Sequence, residues 1–274
     1  MIIDGHAHAV REFADPEQLV RLLDRCGVDR VALCPGLKNN RDLRNPPNIP
    51  TAAVKQHPLY SRFFIQPGIR FAYNYVIKDQ GDGNEFVHSL AQKCPDRIVQ
   101  VYWPDPRKPG FISQLENDLE RWDIRAIKLH QSCTPFRNDG AEINQIAQFA
   151  GEKQLPIIIH LWSKNEARRL ITLAKNHPET RFIILHTMFV ETFAEHARNL
   201  SNIYIDTSPY SYVRESRIKL AVEIFGADHV VFGSDTPFDK DALSNNLERI
   251  KNMDLSHVQR EQILGRNIAE ILKL

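Results

Sequence analysis

Two histidines near the start of the chain have a spacing suited to metal binding. His6 and His8 follow the apolar residues Ile2 and Ile3. In an extended strand, side chains two positions apart share one face, with alpha carbons roughly 6 to 7 Å apart. Zinc binds imidazole nitrogen at about 2.0 to 2.1 Å, and a catalytic zinc site has about three protein ligands and one position for water. Taken alone, the pair fits a metal site and two ordinary polar residues equally well, so other ligands must come from elsewhere in the chain.

Further histidines and an aspartate stand where other apolar segments end. His130, His160 and His186 follow the fourth, fifth and sixth of these segments, and Asp235 follows the eighth. If the segments are strands of a closed parallel barrel, their carboxyl ends converge on one rim, where the active sites of such barrels lie. A single histidine after a strand is usually an ordinary polar residue. The combination of several such positions indicates a functional site.

Eight short apolar segments alternate with helical patterns along the chain. They are 1–4, 30–34, 98–103, 125–129, 156–159, 181–185, 202–206 and 229–233. Nearly continuous Val, Ile and Leu is typical of strands buried on both faces, and the alternation is typical of βα units and a parallel sheet. The length of 274 residues is close to the roughly 250 of an eight-stranded barrel. The sequence therefore predicts an α/β fold, a (β/α)8 TIM barrel, as a single domain over 1–274.

Capping residues indicate where several helices begin. Asp15 offers an N-cap before Pro16, a residue suited to the first helical position, and Gly27 offers a C-cap after an apolar stripe. Two further pairs fit the capping box: Ser163 with Glu166, and Ser256 with Gln259.

The connection at 36–83 is too long for a simple βα loop. It contains the proline-rich stretch 45–50 and an aromatic-rich stretch over 60–75. Because this connection leaves a strand at its carboxyl end, it is expected over the mouth of the barrel. It is predicted to be an insertion that acts as a partial lid, and a subunit contact is the alternative.

Composition restricts the class of partner. Lys plus Arg (35) nearly balances Asp plus Glu (34), so the chain shows no basic footprint for nucleic acid or an anionic membrane. A small-molecule substrate is the expected partner, and a homo-oligomer stays open. The four cysteines are widely spaced without a Cys-x-x-Cys pair, which is typical of reduced thiols in a cytoplasmic protein. No export signal or transmembrane helix is expected, because no basic segment leads into an apolar one near Met1 and apolar stretches are short.

The motifs together resemble those of the amidohydrolase superfamily, in particular its amidohydrolase-related branch of hydrolases and decarboxylases. The resemblance covers the whole chain through IIDGHAH, IIIH, ILH, GSD and the closing segment LGRNIAEIL at 264–272. It implies that His6 and His8 bind a metal from the first strand, His160 from the fifth and Asp235 from the eighth. It also implies that His186 acts in acid/base work or in substrate polarisation. A doubly wound nucleotide-binding sheet, the rival fold, would require a glycine-rich turn after the first strand, and none is present there.

The implied ligands suit hydrolytic chemistry. Three neutral imidazoles and one carboxylate around Zn²⁺ leave a net positive centre, which lowers the pKa of a bound water towards about 7. Asp235 is then placed to accept the proton of that water and pass it to a leaving group. The structural alternative for Asp235 is a helix cap, because Thr236 and Pro237 follow it.

Lys128 and His130 are the ambiguous pair. They stand two positions apart at the end of the fourth segment and so share a face. In two-metal members of the superfamily a carboxylated lysine bridges the ions, and Lys128 fits that position. The alternatives are recognition of a charged substrate or a salt bridge at the rim, with His130 as a substrate contact. The predicted cofactor is therefore one divalent metal, Zn²⁺, or two ions if Lys128 is carboxylated.

Other polar and aromatic residues follow the predicted strands and are candidates for substrate binding. They are Trp103, Asp105, Arg107, Arg137, Trp162, Thr207, Ser208 and Tyr210. An arginine offers a planar fork to a carboxylate, although any one of these residues also fits a solvated position at the rim.

Three functions are compatible with these residues. The first is a metal-dependent hydrolase that uses activated water to cleave a lactone, amide or ester bond of a small, carboxylated substrate. The alternative is non-oxidative decarboxylation of an unsaturated or aromatic acid, in which Asp235 or His186 delivers a proton to carbon. The third is a catalytically silent metal-binding barrel, whose sequence would show the loss of a ligand. No implied ligand position is lost here.

Overall fold

The chain folds into a barrel of eight parallel strands. The computed structural model describes residues 1–36, 80–236 and 241–274. The strands are β1 (Ile3–His8), β2 (Arg30–Cys34), β3 (Ile98–Tyr102), β4 (Ile124–His130), β5 (Ile157–His160), β6 (Phe182–Ile184), β7 (Ile203–Asp206) and β8 (Val230–Val231). They lie in sequence order, each parallel to the next. All eight predicted segments are strands, and the predicted (β/α)8 barrel is confirmed.

The last strand is shorter than the predicted 229–233, because the chain leaves the regular ladder after Val231. The residues that follow bond to β1 instead. Phe232 O accepts a hydrogen bond from Gly5 N at 2.9 Å, and Asp235 N donates to His6 O at 2.7 Å. These bonds bring the first and last strands together, so the sheet is nearly closed and Asp235 lies beside β1.

Helices follow the strands around the outside of the sheet, as βα units require. They are α1 (Pro16–Cys26), α2 (Gln80–Lys93), α3 (Phe111–Arg121), α4 (Ala141–Lys153), α5 (Lys164–Asn176), α6 (Val190–Ala197), α7 (Glu215–Phe225), α8 (Ala242–Asn252), α9 (His257–Glu261) and α10 (Asn267–Leu272). A π-helical turn at Gln262–Arg266 joins α9 to α10.

The predicted caps are present, with one difference. Asp15 accepts a hydrogen bond from Gln18 N at 2.9 Å at the start of α1, and Gly27 ends that helix in the left-handed conformation (φ +67). Ser256 and Gln259 form the full capping box of α9.

At the start of α5 only half of the predicted box forms. Ser163 accepts from Glu166 N, but the Glu166 carboxylate accepts instead from Gln131 Nε2 at 2.8 Å and Asn138 N at 2.9 Å. A buried carboxylate collects its hydrogen bonds from whichever donors surround it. Glu166 therefore ties α5 to the loop after β4 rather than back to its own cap.

Alternation along the strands decides which side chains line the barrel. In β5, Ile157 and Ile159 pack in the apolar layer between sheet and helices, whereas Ile158 belongs to the inner cluster with Ala126 of β4. Because side chains two positions apart share a face, the same alternation places His160 in the interior. The strand pattern alone therefore aims this histidine into the barrel.

The predicted insertion at 36–83 lies almost entirely outside the described residues, so its role as a lid or a subunit contact stays a prediction. Within the described ranges, we find no helix that combines the length and the apolar character needed to cross a membrane.

Candidate metal centre

Three predicted ligands converge at the carboxyl end of the barrel. The ligand atoms of His6, His8 and Asp235 all lie within 4.8 Å of one another. The Nε2 atoms of both histidines are 3.6 Å from Asp235 Oδ1. Ligands bound at about 2.0 to 2.2 Å in a tetrahedral site are separated by about 3.4 Å. The separations and the nitrogen and oxygen donors therefore fit a divalent metal ion.

Backbone structure holds the carboxylate in this position. Asp235 adopts a left-handed conformation (φ +54), which is unfavourable for a residue with a side chain, and its amide is bonded to His6 O. The backbone of Asp235 is therefore fixed relative to β1, the strand that carries the two candidate histidine ligands.

Hydrogen bonds to the outer ring nitrogens set the histidine tautomers. His8 Nδ1 is 2.8 Å from Pro35 O, and His186 Nδ1 is 2.9 Å from Ser208 O. Because a carbonyl only accepts hydrogen bonds, both Nδ1 atoms carry the proton and both Nε2 atoms keep a lone pair. Burial lowers the pKa of His8 and of His186 to about 3, so both rings are neutral at pH 7. The neutral ring is the form that binds a metal.

The predicted acid/base histidine lies next to the ligand carboxylate. His186 follows β6 in a short turn and also has a left-handed backbone (φ +62). Its Nε2 is 3.8 Å from Asp235 Oδ2. The two carboxylate oxygens of Asp235 therefore face different partners: Oδ1 faces the histidines of β1, and Oδ2 faces His186.

His160, the predicted ligand from β5, lies beside this cluster but not within the mutually close set of ligand atoms. Its ring stacks on that of His130 (centroids 3.9 Å apart) and is 4.9 Å from that of His186. Both ring nitrogens of His160, and Nδ1 of His130, are buried without a hydrogen-bond partner among the described residues. Because buried polar groups are normally bonded, these nitrogens are suited to a ligand. The role of His160 in metal binding stays a prediction.

Lys128 is fully buried inside the barrel, on β4. Its Nζ is 2.8 Å from His6 Nε2, and burial lowers the pKa of its amine. The amine thus contacts the nitrogen that would bind the metal. This position suits either a group that recognises substrate or the carboxylated lysine of a two-metal site, and both roles stay predictions.

Two buried carboxylates support the site and were missed from the sequence. Asp4 accepts from Ser234 N (2.8 Å) and Ser234 Oγ (2.6 Å), which ties β1 to the segment after β8. Asp206, at the end of β7, accepts from Ser208 N (2.9 Å) and Ser208 Oγ (2.5 Å). Burial raises the pKa of Asp4 to about 7 and that of Asp206 to about 6. An acid within an otherwise apolar strand was the available signal, because burying it is costly without hydrogen bonds.

Trp103 is the predicted rim residue that lies among the histidines. Its ring is 6.0 Å from that of His8 and 5.8 Å from that of His130. Asn84 of α2 holds its backbone through two hydrogen bonds, one to Trp103 O and one from Trp103 N. The indole is buried and forms an aromatic wall beside the candidate metal ligands.

The two predicted arginines have carboxylate partners close by in sequence. Arg107 forms a two-pronged ion pair with Asp105 (2.8 Å for each bond), and Arg137 forms one with Asp139 (2.9 and 2.7 Å). The planar fork that would bind a substrate carboxylate is therefore already engaged in both residues. Their predicted role in substrate binding remains untested.

The remaining aromatic residues differ in their surroundings. Tyr210 lies under the guanidinium of Arg249, whose carbon is 5.1 Å from the ring centre, and Trp162 is 38% exposed. Substrate binding by Tyr210 and Trp162 stays a prediction. Tyr212, which the sequence analysis did not single out, has its ring 6.4 Å from that of His186 and is 36% exposed.

Comparison with known proteins adds a family and a set of similar structures. A family model described as "Amidohydrolase" matches residues 3–274. No curated protein matches the chain. The 4-oxalomesaconate hydratase LigJ of Rhodopseudomonas palustris is 17% identical, with a TM-score of 0.65 over 100% of this chain and 96% of that one.

Two further solved structures are similar over the whole fold. A dihydroxybenzoic acid decarboxylase of Polaromonas sp. JS666, solved with bound manganese and an inhibitor, is 15% identical (TM-score 0.70, covering 100% of this chain and 97% of that one). A probable 2-pyrone-4,6-dicarboxylic acid hydrolase of Acinetobacter baumannii, with citric acid bound, is 14% identical (TM-score 0.66, 100% and 99%). These likenesses show a common fold, whereas the family match spans nearly the whole sequence. The chain therefore belongs to the amidohydrolase family.

Proposed function

We propose that the protein is a metal-dependent hydrolase that cleaves a lactone, amide or ester bond of a small, carboxylated substrate. The main support is the arrangement around Asp235. One of its oxygens lies 3.6 Å from both histidine ligands of β1, and the other lies 3.8 Å from His186 Nε2. Hydrolysis needs a group that takes a proton from water and returns it to the leaving group. A carboxylate shared between a metal site and a histidine is suited to that task.

A divalent metal, Zn²⁺ in this proposal, would be held by His6, His8 and Asp235, with His160 as the fourth residue. When bound, such an ion supplies a Lewis acid for the carbonyl oxygen and lowers the pKa of a water. The 3.6 Å separations and the buried, unpartnered nitrogens of His160 support this set.

Proton transfer, orientation of the water and contact with the substrate are assigned to separate side chains. Asp235 accepts the proton of the attacking water and passes it to the departing oxygen or nitrogen. His186 is neutral and has its proton on Nδ1, so its Nε2 acts as a hydrogen-bond acceptor that orients the water. Lys128 and His130 both belong to β4 and are buried. They are the proposed contacts for the substrate carboxylate.

Decarboxylation of an unsaturated or aromatic acid is the second candidate. It is favoured by the buried amine of Lys128, because this amine, when protonated, attracts a carboxylate directly to the reacting centre. In that reaction Asp235 or His186 would deliver a proton to carbon. The similar decarboxylase structures agree with this alternative at the level of the fold.

A substrate panel separates the two reactions. The purified protein, loaded in parallel with Zn²⁺ and with Mn²⁺, is incubated with lactones, amides and carboxylated rings while acid release and carbon dioxide are measured together. We expect acid release without gas. Carbon dioxide without hydrolysis would overturn the proposal in favour of the decarboxylase. Asp235→Asn serves as the control, because turnover that persists in this variant comes from a contaminant.

We also propose a small-molecule partner and a cytoplasmic location. All four cysteines are free thiols, which suits a reducing compartment. A homo-oligomer is part of the proposal, and light scattering of the purified protein tests it.

A further inference from the structure

Ser208 contacts two histidines of the site at once. Its Oγ is 3.3 Å from His6 Nδ1, and its backbone oxygen is 2.9 Å from His186 Nδ1. The residue is fully buried just beyond β7. A single position in the chain therefore touches the outer nitrogen of a proposed metal ligand and that of the proposed water-orienting histidine.

The direction of these hydrogen bonds follows from Asp206. Its Oδ2 accepts from two backbone amides, Ser208 N at 2.9 Å and His186 N at 3.2 Å. Amides can only donate, so Oδ2 is an acceptor, and the hydroxyl of Ser208, 2.5 Å away, donates its proton to the same atom. Ser208 Oγ is left with lone pairs only. His6 Nδ1 must therefore carry the proton in its contact with Ser208.

Lys128, on the other edge of the His6 ring, is compatible with this tautomer. Its Nζ lies 2.8 Å from His6 Nε2. Burial lowers the pKa of this amine, and a neutral amine has both N–H donors and a lone pair, so the contact does not by itself fix the proton position. The tautomer of His6 therefore depends on its contact with Ser208.

We propose that Ser208 is a positioning residue that fixes the tautomers of both His6 and His186, and that Asp206 orients its hydroxyl for this purpose. With both protons held on Nδ1, both Nε2 atoms keep a lone pair; His6 Nε2 lies 3.6 Å from Asp235 Oδ1, and His186 Nε2 lies 3.8 Å from Asp235 Oδ2. The importance of these tautomers for metal binding rests on the proposed function, whereas the tautomers themselves do not.

The test measures tautomers in metal-free protein labelled with ¹⁵N-histidine. Long-range ¹H–¹⁵N spectra distinguish the Nδ1–H form of an imidazole from the Nε2–H form. We expect the Nδ1–H form for both histidines in the wild type. In Ser208→Ala the hydroxyl is lost but the backbone carbonyl remains, so His6 should become a mixture while His186 stays unchanged. Ser208→Thr, which restores a hydroxyl, should return His6 to the wild-type form.

Metal affinity provides a second measurement. Removing a group that holds a metal-binding histidine typically weakens metal binding by about 10- to 100-fold. We expect this loss in Ser208→Ala, measured by competition with a chromophoric chelator. Ser132→Ala is the matched control, because Ser132 is also fully buried and its hydroxyl has no partner among the described residues.

Two outcomes would overturn the proposal: an Nε2–H form of His6 in the wild type, or a Ser208→Ala variant with unchanged His6 tautomer and metal affinity. The wild-type spectra decide the question even if the alanine variant does not fold. A failure of the proposed hydrolase function has a different signature: the substrate panel shows no acid release, although the spectra show the expected histidine tautomers.

Discussion

At the scale of single residues, His186 differs from the proposed metal-binding histidines in what surrounds its inner nitrogen. Its Nε2 is 3.8 Å from the second oxygen of Asp235, and its ring is 4.9 Å from that of His160 and 6.4 Å from that of Tyr212. It is not one of the proposed metal ligands, since the mutually close candidate set is His6, His8 and Asp235 and the proposed fourth ligand is His160. Catalysis and metal binding should therefore be separable at this position.

Replacing His186 by asparagine is expected to reduce kcat while leaving metal content intact. Loss of a group that assists proton transfer costs typically 10²- to 10⁴-fold, and we expect a loss in this range. The measurement combines turnover of a confirmed substrate with metal analysis of the same sample. His196→Asn is the control, since that histidine is exposed at the end of α6. Equal losses of metal and activity would contradict the separation.

Lys128→Met tests whether the site holds one ion or two. Methionine fills a similar volume without charge, and its substitution frees His6 Nε2 from the amine. If Lys128 contacts substrate, we expect one metal ion per chain in wild type and variant, with affinity unchanged or higher in the variant. If Lys128 bridges two ions as a carbamate, the wild type binds two and the variant loses at least one. Metal counting at saturating bicarbonate distinguishes these results.

At the scale of elements, the seam between β1 and the segment after β8 decides the shape of the site. Asp4 bonds to Ser234 across the seam, and Gly233 packs closely against both neighbouring strands. A β-carbon on Gly233 would overlap Asp206 Oδ1 and lie 3.1 Å from His6 Cβ. The lack of a side chain at Gly233 therefore leaves room for a supporting carboxylate, Asp206, and for a proposed metal ligand, His6.

Gly233→Ala is expected to weaken metal binding as well as folding. Overpacking a close-packed interior costs about 1 to 3 kcal/mol, and here the displaced groups include His6 and Asp206. Gly27→Ala is the matched control. Its cost of about 1 kcal/mol comes from the left-handed backbone alone, since no atom lies within 4 Å of its added β-carbon. Both variants should lower the urea midpoint, and only Gly233→Ala should lower metal affinity. Equal metal affinity in the two variants would contradict this role of Gly233.

The strands were predictable because apolar runs of Val and Ile mark them directly, and the side chains at their ends were expected at one rim of the barrel. The shortening of β8 was not predictable, because it depends on hydrogen bonds from Phe232 and Asp235 to β1, far away in sequence. The role of Glu166 was missed for the same reason: its capping pattern is local, whereas its actual partner, Gln131, lies on another loop.

The candidate site, like the fold, was predictable from the sequence only in part. Histidines at strand ends identified the candidate ligands that converge, but nothing in the local sequence of Asp206 showed that the amide of His186 would also donate to it. That hydrogen bond exists only once β6 and β7 are paired. Supporting groups of this kind are defined by tertiary contacts rather than by spacing.

At the scale of the whole molecule, the candidate site contains buried histidines whose pKa values are lowered and buried carboxyl groups whose pKa values are raised. Burial lowers the pKa of five histidines, His6, His8, His130, His160 and His186. Below pH 6.5 the unfolded chain protonates these rings and the folded protein does not, until about pH 3 for His8 and His186. Asp4 and Asp206 have the opposite effect on proton binding, because burial raises their pKa values from 3.8 to about 7 and about 6, so the folded protein protonates them first as the pH falls.

Acidification is therefore expected to destabilise the metal-free protein. Between about pH 6 and about pH 4 the unfolded state carries protons on five histidines, whereas the folded state carries them on two carboxyl groups. The free energy of unfolding therefore falls as the pH falls. Urea unfolding at several pH values in the presence of a chelator measures this slope. His186→Asn removes one of the five groups and should make the slope shallower. Greater stability at about pH 5 than at about pH 7 would show that the carboxyl groups dominate.

The hydrogen bonds between Asp4 and Ser234 join residues that are 230 positions apart. During translation, His6 and His8 leave the ribosome long before Asp235 exists, and the three can meet only when the last strand has docked beside the first. A nascent chain therefore holds two imidazoles without their carboxylate for most of its synthesis. Under the proposed function, metal insertion is therefore a late event in the maturation of this protein, since the completed barrel is the first species that presents all three candidate ligands together.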